Sequence, residues 1–524
     1  MTMEQKIMHE LTFLPLGKKF LAKDGMTLLE AQIQAGLKPD APCGGKGTCG
    51  KCLVDVHTGQ GLERVKACKT LVDKDMTITL LHTGQTSEIL TLGSGSEDWP
   101  PVDPLPIPGL KPGLLAACDL GSTSIVVYLL NSKDGALLAT ASALNPQTSF
   151  SADVIGRIDY AKKNGPKALT TSVRATIQEL LQSACQKAKA LPEQITHLCL
   201  VGNCCMHHLF FGISTDSLAV IPYSPAVTDA MVVSASEYGI SIHPQGVIQA
   251  LPNMAGFVGA DTVGCLSAAR FDQQTDMTLL LDIGTNGELV LGTKDRRLTC
   301  STAAGPALEG AKISCGMRGA TGAIDHVWIQ EGTISYSVIG RDSDPTLSPC
   351  GVCGSGLIDA ISVFLNLGIL DETGRFTEEE NWPDPSACIQ LEKMKAYAFT
   401  DGVSITQKDV REVQLAKAAI AAGIQLMCEQ LDITASQIQQ VLIAGAFGNY
   451  MNPESACRIG LIPSVLKNRI LPMGNGAGTG ARLCVGNQGE FERAKKMAAE
   501  TEFLELASLE EFQDTFVDEL GFEA

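Results

Sequence analysis

No run of about 18 uninterrupted apolar residues occurs in this chain, so no membrane-spanning helix is expected. Met1 to Leu11 carries charges early and lacks an apolar core segment, so no secretory leader is expected either. There is no Gly-x-x-x-x-Gly-Lys-Ser/Thr run, which excludes a P-loop NTPase. No Gly-x-Gly-x-x-Gly follows a strand in a convincing context, which excludes a fused Rossmann-type flavin or nicotinamide module. Positive charge is in deficit: 40 Lys and Arg against 58 Asp and Glu leave a net charge of −18. That balance argues against nucleic acid or an anionic membrane as the main partner.

What is present fits a large globular protein. A length of 524 residues corresponds to about three or four domains with ample core. The 18 cysteines are scattered through a chain without a leader, which favours a reducing cytoplasm over a disulfide framework. Cys118, Cys185, Cys199, Cys265, Cys300, Cys428 and Cys484 sit in apolar contexts and read as small buried hydrophobes.

Four cysteines read differently. Cys43, Cys49 and Cys52 lie in Cys43-Gly-Gly-Lys-Gly-Thr-Cys49-Gly-Lys-Cys52, and Cys68 follows. Four thiolates are what a [2Fe–2S] cluster needs, and glycines between them let the backbone curl round it. A Zn site also takes four thiolates, but structural zinc commonly uses two Cys-x-x-Cys knuckles and only Cys49–Cys52 forms one. Around the loop, Glu10–Pro15 and Lys19–Ala22 read as strands and Thr27–Ala35 as a helix with Leu28, Leu29, Ile33 and Ala35 inward. Further strands are expected at Cys52–Val56 and Met76–Leu81. This order is that of a β-grasp ferredoxin domain, placed at residues 1–85.

From Ser94 to Gly113 the chain carries six prolines, which remove backbone donors and fix φ. Residues 86–113 therefore read as an extended, semi-rigid linker. Beyond it comes an internal echo. Leu114-Leu-Ala-Ala-Cys-Asp119-Leu-Gly121-Ser-Thr-Ser124 begins a strand–turn–strand hairpin, and Leu279-Leu-Leu-Asp282-Ile-Gly284-Thr-Asn-Gly287 begins a second. Two such copies imply two similar α/β lobes, at 114–270 and 271–524. The expected architecture is thus multidomain, α+β followed by α/β. In the lobes, helices are expected at Pro166–Ala190, near Asp261–Arg270 and at Gln407–Gln430, with a strand at His197–Val201. Val441–Ala444 reads as a strand running into a glycine loop, and the acidic end, Glu500 to Ala524, as a solvent-facing helix.

A turn without bulky side chains offers backbone amides and hydroxyls to phosphate oxygens. An Asp at each strand end can hold Mg²⁺ through water. Two weaker signals have ordinary readings. Cys350-Gly-Val-Cys353 reads first as a helix start with small residues, with a redox-active thiol pair or a second metal site as alternatives, and Cys204-Cys205 with His207-His208 reads first as a buried strand end, with a ligand cluster as the alternative.

The twin hairpins and the late Ala444-Gly-Ala-Phe-Gly448 resemble the acetate and sugar kinase, Hsp70 and actin superfamily, whose lobes are RNase H-like. A [2Fe–2S] ferredoxin domain joined to such an ATPase resembles the reductive activators of corrinoid proteins. Ala304–Ala311, Gly316–Ile324 and Cys353–Ala360 carry that likeness further. The resemblance implies that Cys43, Cys49, Cys52 and Cys68 bind the cluster. It places the first phosphate motif on Asp119, Gly121, Ser122 and Thr123, and the second on Asp282, Gly284, Thr285, Asn286 and Gly287. The adenosine motif falls on Gly445, Ala446, Phe447 and Gly448, and ATP with Mg²⁺ is the implied nucleotide.

The implied activity returns inactive Co(II) of a corrinoid protein to Co(I), with ATP driving an unfavourable one-electron transfer. Plant-type clusters sit near about −400 mV, and Co(I) is a stronger reductant than that. Each 59 mV of mismatch costs about tenfold for one electron. An external low-potential electron donor is implied, because no reductase module is fused. The oligomeric state is left open, a homodimer included. The competing expectations are ATP-driven electron donation to another low-potential enzyme and a non-catalytic redox-sensing nucleotide-binding protein.

Overall fold

The computed structural model describes residues 8–14, 16–37, 39, 41, 45, 47, 52–58, 61–80, 99–151, 153–284, 286–391 and 393–522, and these divide into two units. In the N-terminal unit, β1 (Met8–Leu14) and β2 (Lys18–Lys23) form a hairpin turned at Gly17, whose φ of 62° suits a residue without Cβ. Helix α1 (Leu28–Gln34) starts at a capping box: the Thr27 hydroxyl accepts from the Glu30 amide, and Glu30 accepts from the Thr27 amide at 2.9 Å. Strands β3 (Leu53–Thr58), β4 (Gly61–Lys66) and β5 (Met76–Leu80) complete a sheet of order β2-β1-β5-β3-β4, the β-grasp arrangement. Leu11, Phe13, Leu28, Val54, Val56 and Ile78 form its core.

Two local expectations are corrected here. Ile33 is 45% exposed, while Ala31 and Gln32 are buried beside Leu28 and Ala35. Positions 28, 31, 32 and 35 share one helical face and 33 does not. Strand β4 was not anticipated, because nearly all its side chains face solvent and leave no apolar alternation to read.

The second unit holds two sheets of like design. In the first, β6 (Leu114–Leu120), β7 (Ser124–Leu130) and β8 (Leu137–Leu144) form an antiparallel meander. Helices α2 (Val154–Asn164) and α3 (Lys167–Lys187) lead to β9 (Ile195–Val201), parallel to β6, and α4 (Cys204–Phe211) leads on to β10 (Met231–Ser234) and β11 (Val247–Ala250). The order is β10-β11-β9-β6-β7-β8, and α5 (Ala260–Ala268) closes the lobe.

The second sheet repeats the scheme with β12 (Thr278–Ile283), β13 (Gly287–Gly292) and β14 (Arg297–Thr302). Two small sheets follow: β15 (Ala323–Gln330), β16 (Thr333–Val338) and β17 (Gly351–Val352) with α6 (Gly354–Asn366), then β18 (Cys388–Leu391), β19 (Met394–Thr400) and β20 (Val403–Thr406). Helix α7 (Gln407–Gln430), capped by Thr406 and Asp409, returns the chain to β21 (Gln440–Ala444), parallel to β12. After α8 (Gly445–Tyr450) and α9 (Pro453–Arg458) comes β22 (Ile470–Gly474), giving the order β22-β21-β12-β13-β14 with β23 (Glu502–Phe503) at the edge. These are the two RNase H-like lobes.

Helices α10 (Gly476–Gly486) and α11 (Gln488–Ala499) follow the second sheet in sequence yet pack on the first lobe. Ala477, Ala481, Cys484 and Phe491 share a core with Leu115, Ala117, Val126 and Val263. The approach of α10 to α5 is backbone on backbone, since a Cβ at Gly480 would run into the Gly264 carbonyl. The acidic end is not one exposed helix. It supplies β23, the buried Leu506 and Phe522, and the seven-residue α12 (Phe512–Asp518).

The described part of the proline-rich segment is not a free spacer. It lies docked on this unit: the Asp103 amide donates to Gly486 O at 2.8 Å, His197 Nε2 contacts Leu105 O at 2.7 Å, and the Gly113 amide donates to Thr196 Oγ1 at 3.0 Å.

Candidate functional site

The first hairpin turn, between β6 and β7, is held from three sides. Asn145 Nδ2 donates to Gly121 O at 2.8 Å and the Asn145 amide to Thr123 O at 2.9 Å. Arg157 donates to Ser122 O from a buried position, and Asn203 Nδ2 donates to Ser122 Oγ at 2.8 Å. Thr123 Oγ1 donates to Glu309 Oε2 at 2.7 Å, which ties the first turn to the second lobe. In the second hairpin, Asp282 pairs in register with Glu288 across β12 and β13, and Ala444 lies on its other side. The Gly284 amide donates to Asn286 O at 2.9 Å, and Gly287 opens β13. Thr285 lies outside the described residues.

The segment expected to form a glycine loop against adenosine is instead helical: residues 445–450 are the helix α8. Gly445 begins it at φ 83°, and a Cβ there would stand 3.3 Å from Asp282 Oδ1. Glycine therefore lets the end of β21 close on the carboxylate. Phe447 packs on the second-lobe core and Gly448 sits against Ile443, while Ala446 lies within the same helix.

These elements bring together carboxylates far apart in sequence. Asp119 sits one residue before the end of β6, Asp282 one before the end of β12, Asp261 lies in the first turn of α5, and Glu288 follows Gly287. The side chains keep some contact with solvent, yet surrounding protein desolvates them. Burial, with repulsion from Asp282, pushes Asp119 up to about 6, against the bond from Asn475 that lowers it. Burial raises Asp282 to about 6 despite the Cys265 thiol, with Glu309 adding repulsion. Burial followed by the charges of Asp282 and Asp119 lifts Asp261 to about 8. Burial, with Asp261 and Asp282 adding to it, also raises Glu288 well above the carboxylate range. Among the described residues, no Lys or Arg forms an ion pair with these four. Nor do three carboxylate, His or Cys groups converge to ligate a metal directly. Unneutralised oxygens that do not close a cage suit Mg²⁺, which keeps its own waters and shares substrate phosphates.

Sequence reasoning missed Asp261, Glu288, Glu309 and Asn475. The available signals were glycines: Gly259 before Asp261, Gly287 before Glu288, and the run Gly474-Asn-Gly-Ala-Gly478 around Asn475. Asn475 matters because its Nδ2 donates to Asp119 Oδ2 at 2.8 Å.

In the N-terminal unit, Cys52 precedes β3 and Cys68 lies in the turn after β4, both buried. The Ala67 amide donates to Cys52 O at 2.7 Å, which fixes the two cysteine segments side by side. Gly45 and Gly47 have φ of 82° and 81°, and a Cβ at Gly45 would stand 4.0 Å from Cys68 Cβ. The backbone thus runs within van der Waals reach of Cys68 in a left-handed conformation that favours glycine, and the donor set suits a thiolate-ligated cluster. Cys43 and Cys49 lie outside the described residues.

The minor cysteine signals resolve as structure. Cys204, Cys205, His207 and His208 are on the buried helix α4, not a strand end. His208 Nε2 accepts from the Ala226 amide at 2.9 Å. Cys353 sits at the N-cap of α6, and Cys350 is an exposed free thiol. The seven cysteines expected as buried hydrophobes are buried.

The raised carboxylates have a pH consequence. Their folded pKa values exceed the ordinary value near about 4, so the folded state holds protons that the unfolded chain releases. The penalty is absent below about pH 4 and grows as pH rises through about 6 for Asp119 and Asp282 and about 8 for Asp261. Metal-free protein is expected to melt lower at pH 8 than at pH 6, and Asp261→Asn to flatten that slope. Calorimetric melts would show it; an equally steep slope in the variant would contradict the repulsion argument.

Three family models match in succession: the 2Fe-2S iron-sulfur cluster binding domain at residues 12–78, the RACo middle region at 114–274, and the C-terminal ASKHA domain of RACo at 276–524. The corrinoid activation enzyme RamQ of Eubacterium limosum is 33% identical over 92% of this chain and 94% of its own length. A Co(II) methylated amine-specific corrinoid protein reductase of Methanosarcina barkeri is 26% identical over 78% of this chain and 76% of its own. A solved structure described as a reductive activator for corrinoid, iron-sulfur protein is 29% identical, covers 98% of both chains and superposes with a TM-score of 0.72.

Proposed function

This chain belongs to the RACo family of reductive activators of corrinoid proteins, and on that premise we propose that it passes one electron to a Co(II) corrinoid protein, restoring Co(I), in a reaction driven by ATP. The observation that carries the reading is the pairing, in one chain, of the cysteine cradle at Cys52 and Cys68 with the interlobe carboxylates at Asp119 and Asp282. Each half alone is common to many proteins.

A [2Fe–2S] cluster held by Cys43, Cys49, Cys52 and Cys68 would supply one-electron carriage at low potential. One electron enters from an external donor protein and one leaves to cobalt. The chain's own residues do the rest. Gly121, Ser122 and Thr123 in the first turn, and Gly284, Thr285, Asn286 and Gly287 in the second, present amides and hydroxyls to the phosphates. Gly445, Ala446, Phe447 and Gly448 line the nucleoside side. Asp119 and Asp282 would hold a Mg²⁺ ion through its waters, and before it binds Asn475 fixes the direction of the Asp119 carboxylate. Mg²⁺ bound with ATP between the turns would supply the positive charge that these mutually repelling carboxylates lack. Nucleotide binding is thereby coupled to lobe closure. Closure acts on the docked partner, where a change at cobalt makes its reduction favourable.

The decisive assay mixes the reduced protein, a Co(II) corrinoid protein and Mg-ATP under anaerobic conditions and follows the visible spectrum. Co(I) is expected to form with ATP and not with a non-hydrolysable analogue. Absence of Co(I) with every corrinoid partner tried, while another low-potential acceptor is reduced, would replace the corrinoid partner with that acceptor.

A further inference from the structure

The docked proline-rich segment and the cleft carboxylate Asp119 are fastened to the same helix. At its N-terminal end, the N-cap residue Asn475 ties Asp119 to the helix: Nδ2 donates to Asp119 Oδ2 at 2.8 Å while Oδ1 accepts from the Gly478 amide at 2.6 Å. The first turns of α10 carry Gly476, Gly478 and Gly480. The helix therefore seats directly on its neighbours, and a Cβ at Gly478 would stand 2.5 Å from the Tyr128 hydroxyl. Such contact leaves little slack between α10 and β7, the strand that continues from the first phosphate turn.

Further along α10, the Arg482 guanidinium lies between two aromatic rings. Its carbon is 5.6 Å from the centroid of Tyr128 on β7 and 4.6 Å from that of Trp99 at the start of the described strap. Beyond Arg482 the strap is gripped by the end of α10 and the start of α11. The Asp103 amide donates to Gly486 O at 2.8 Å and the Gln488 amide to Asp103 O at 2.7 Å. Asn487 Nδ2 donates to Pro101 O at 2.8 Å, and Gln488 Nε2 to Asp103 Oδ2 at 2.9 Å. Pro100, Pro101 and Pro104 stiffen the gripped stretch, so it follows its anchor rather than absorbing its motion.

We propose that α10 is a mechanical link: it carries the nucleotide state of the cleft from Asp119 through Asn475 and Arg482 to the strap at residues 99–105, and so to the chain leading to the cluster unit. The proposal rests on the reading that the cleft binds nucleotide. Metal and phosphate arriving at Asp119 compete with the Asn475 bond. Losing or redirecting that bond shifts the N-terminus of a rigid helix about 16 Å long, judged from 11 residues at 1.5 Å each. Helix shifts of about 1–2 Å are the ordinary currency of such switches. The Trp99–Arg482–Tyr128 stack and the grip on Asp103 transfer the shift to the strap. Arg482 is a positioning residue in this scheme and touches no nucleotide.

The experiment is amide hydrogen exchange on the full chain, with and without a saturating non-hydrolysable Mg-ATP analogue whose affinity is measured by calorimetry. In the wild type, exchange at 99–105 and 482–488 is expected to change about fivefold or more on binding. In Arg482→Gln, affinity should stay within about threefold while the nucleotide effect at 99–105 disappears. Trp99→Ala, on the strap itself, should behave alike and covers the case in which Arg482→Gln fails to fold. Bound analogue with unchanged exchange at 99–105 in the wild type would overturn the link, as would an undiminished effect in both variants. If calorimetry found no binding at all, the nucleotide reading itself would fall.

Discussion

Asp282→Asn is expected to lower the rate of ATP-dependent corrinoid reduction about 100-fold while leaving the visible spectrum of the cluster unchanged. The residue lies where β12 ends, flanked in register by Glu288 and Ala444, and the Gly445 backbone closes on its Oδ1. Asparagine keeps the shape and removes the charge. A carboxylate that orients metal-bound water from the outer shell is typically worth about 10- to 100-fold in metal affinity or activity. A loss on the order of 100-fold is therefore expected in the rate of Co(I) formation, measured anaerobically at saturating ATP. Turnover within about threefold of wild type would remove Asp282 from the metal site.

The same substitution should stabilise the nucleotide-free protein. Asp261 and Glu288 are both raised in part by the Asp282 charge, so removing it relieves two buried neighbours. An increase in melting temperature at pH 8 together with lost activity would be the signature of a site whose repulsion serves function. Simple misfolding would lower both.

Cys68→Ser should eliminate the cluster absorption and all electron transfer, while the melting transition of the C-terminal unit and its nucleotide affinity stay unchanged. Serine oxygen is a poor substitute for a soft thiolate at iron. Cys68 is 7% exposed and lies beside Gly45. The N-terminal unit also has a small core, and domains of that size lean on their metal for stability. Its own unfolding transition should therefore fall in temperature. Iron and sulfide analysis reads the outcome directly. Two irons per chain retained in Cys68→Ser would refute the ligand assignment, and Cys350→Ser, an exposed thiol elsewhere, should change nothing.

Features set by contiguous residues are legible in the sequence. Helix α7 spans Gln407–Gln430 as expected, because a Thr406–Asp409 capping box and a long apolar stripe are local signals. The twin hairpins were legible for the same reason, as Asp, glycine and hydroxyl residues recur at fixed offsets. Where local signals were weak or overridden, the reading failed. Strand β4 exposes nearly all its side chains and was missed, and the acidic end, expected as one exposed helix, is drawn into the second lobe by Leu506 and Phe522. The proline-rich segment was expected to be an extended linker; its described part turns back at Ile107–Leu110 and is docked, because proline content says nothing about what a strap packs on.

The sequence by itself determined which atoms are available: thiolates at Cys43, Cys49, Cys52 and Cys68, and carboxylates at the ends of two glycine-turned strands. Ligand type and backbone permissiveness are properties of a residue and its immediate neighbours, so they survive in one dimension. The tertiary structure alone decided that Asn475 reaches Asp119 across 356 positions, that Asp261 and Glu288 join Asp282, and that the strap is pinned to α10. Those facts depend on desolvation and on Coulomb forces between groups that only folding brings together. Such forces fall with distance in space and are blind to distance along the chain.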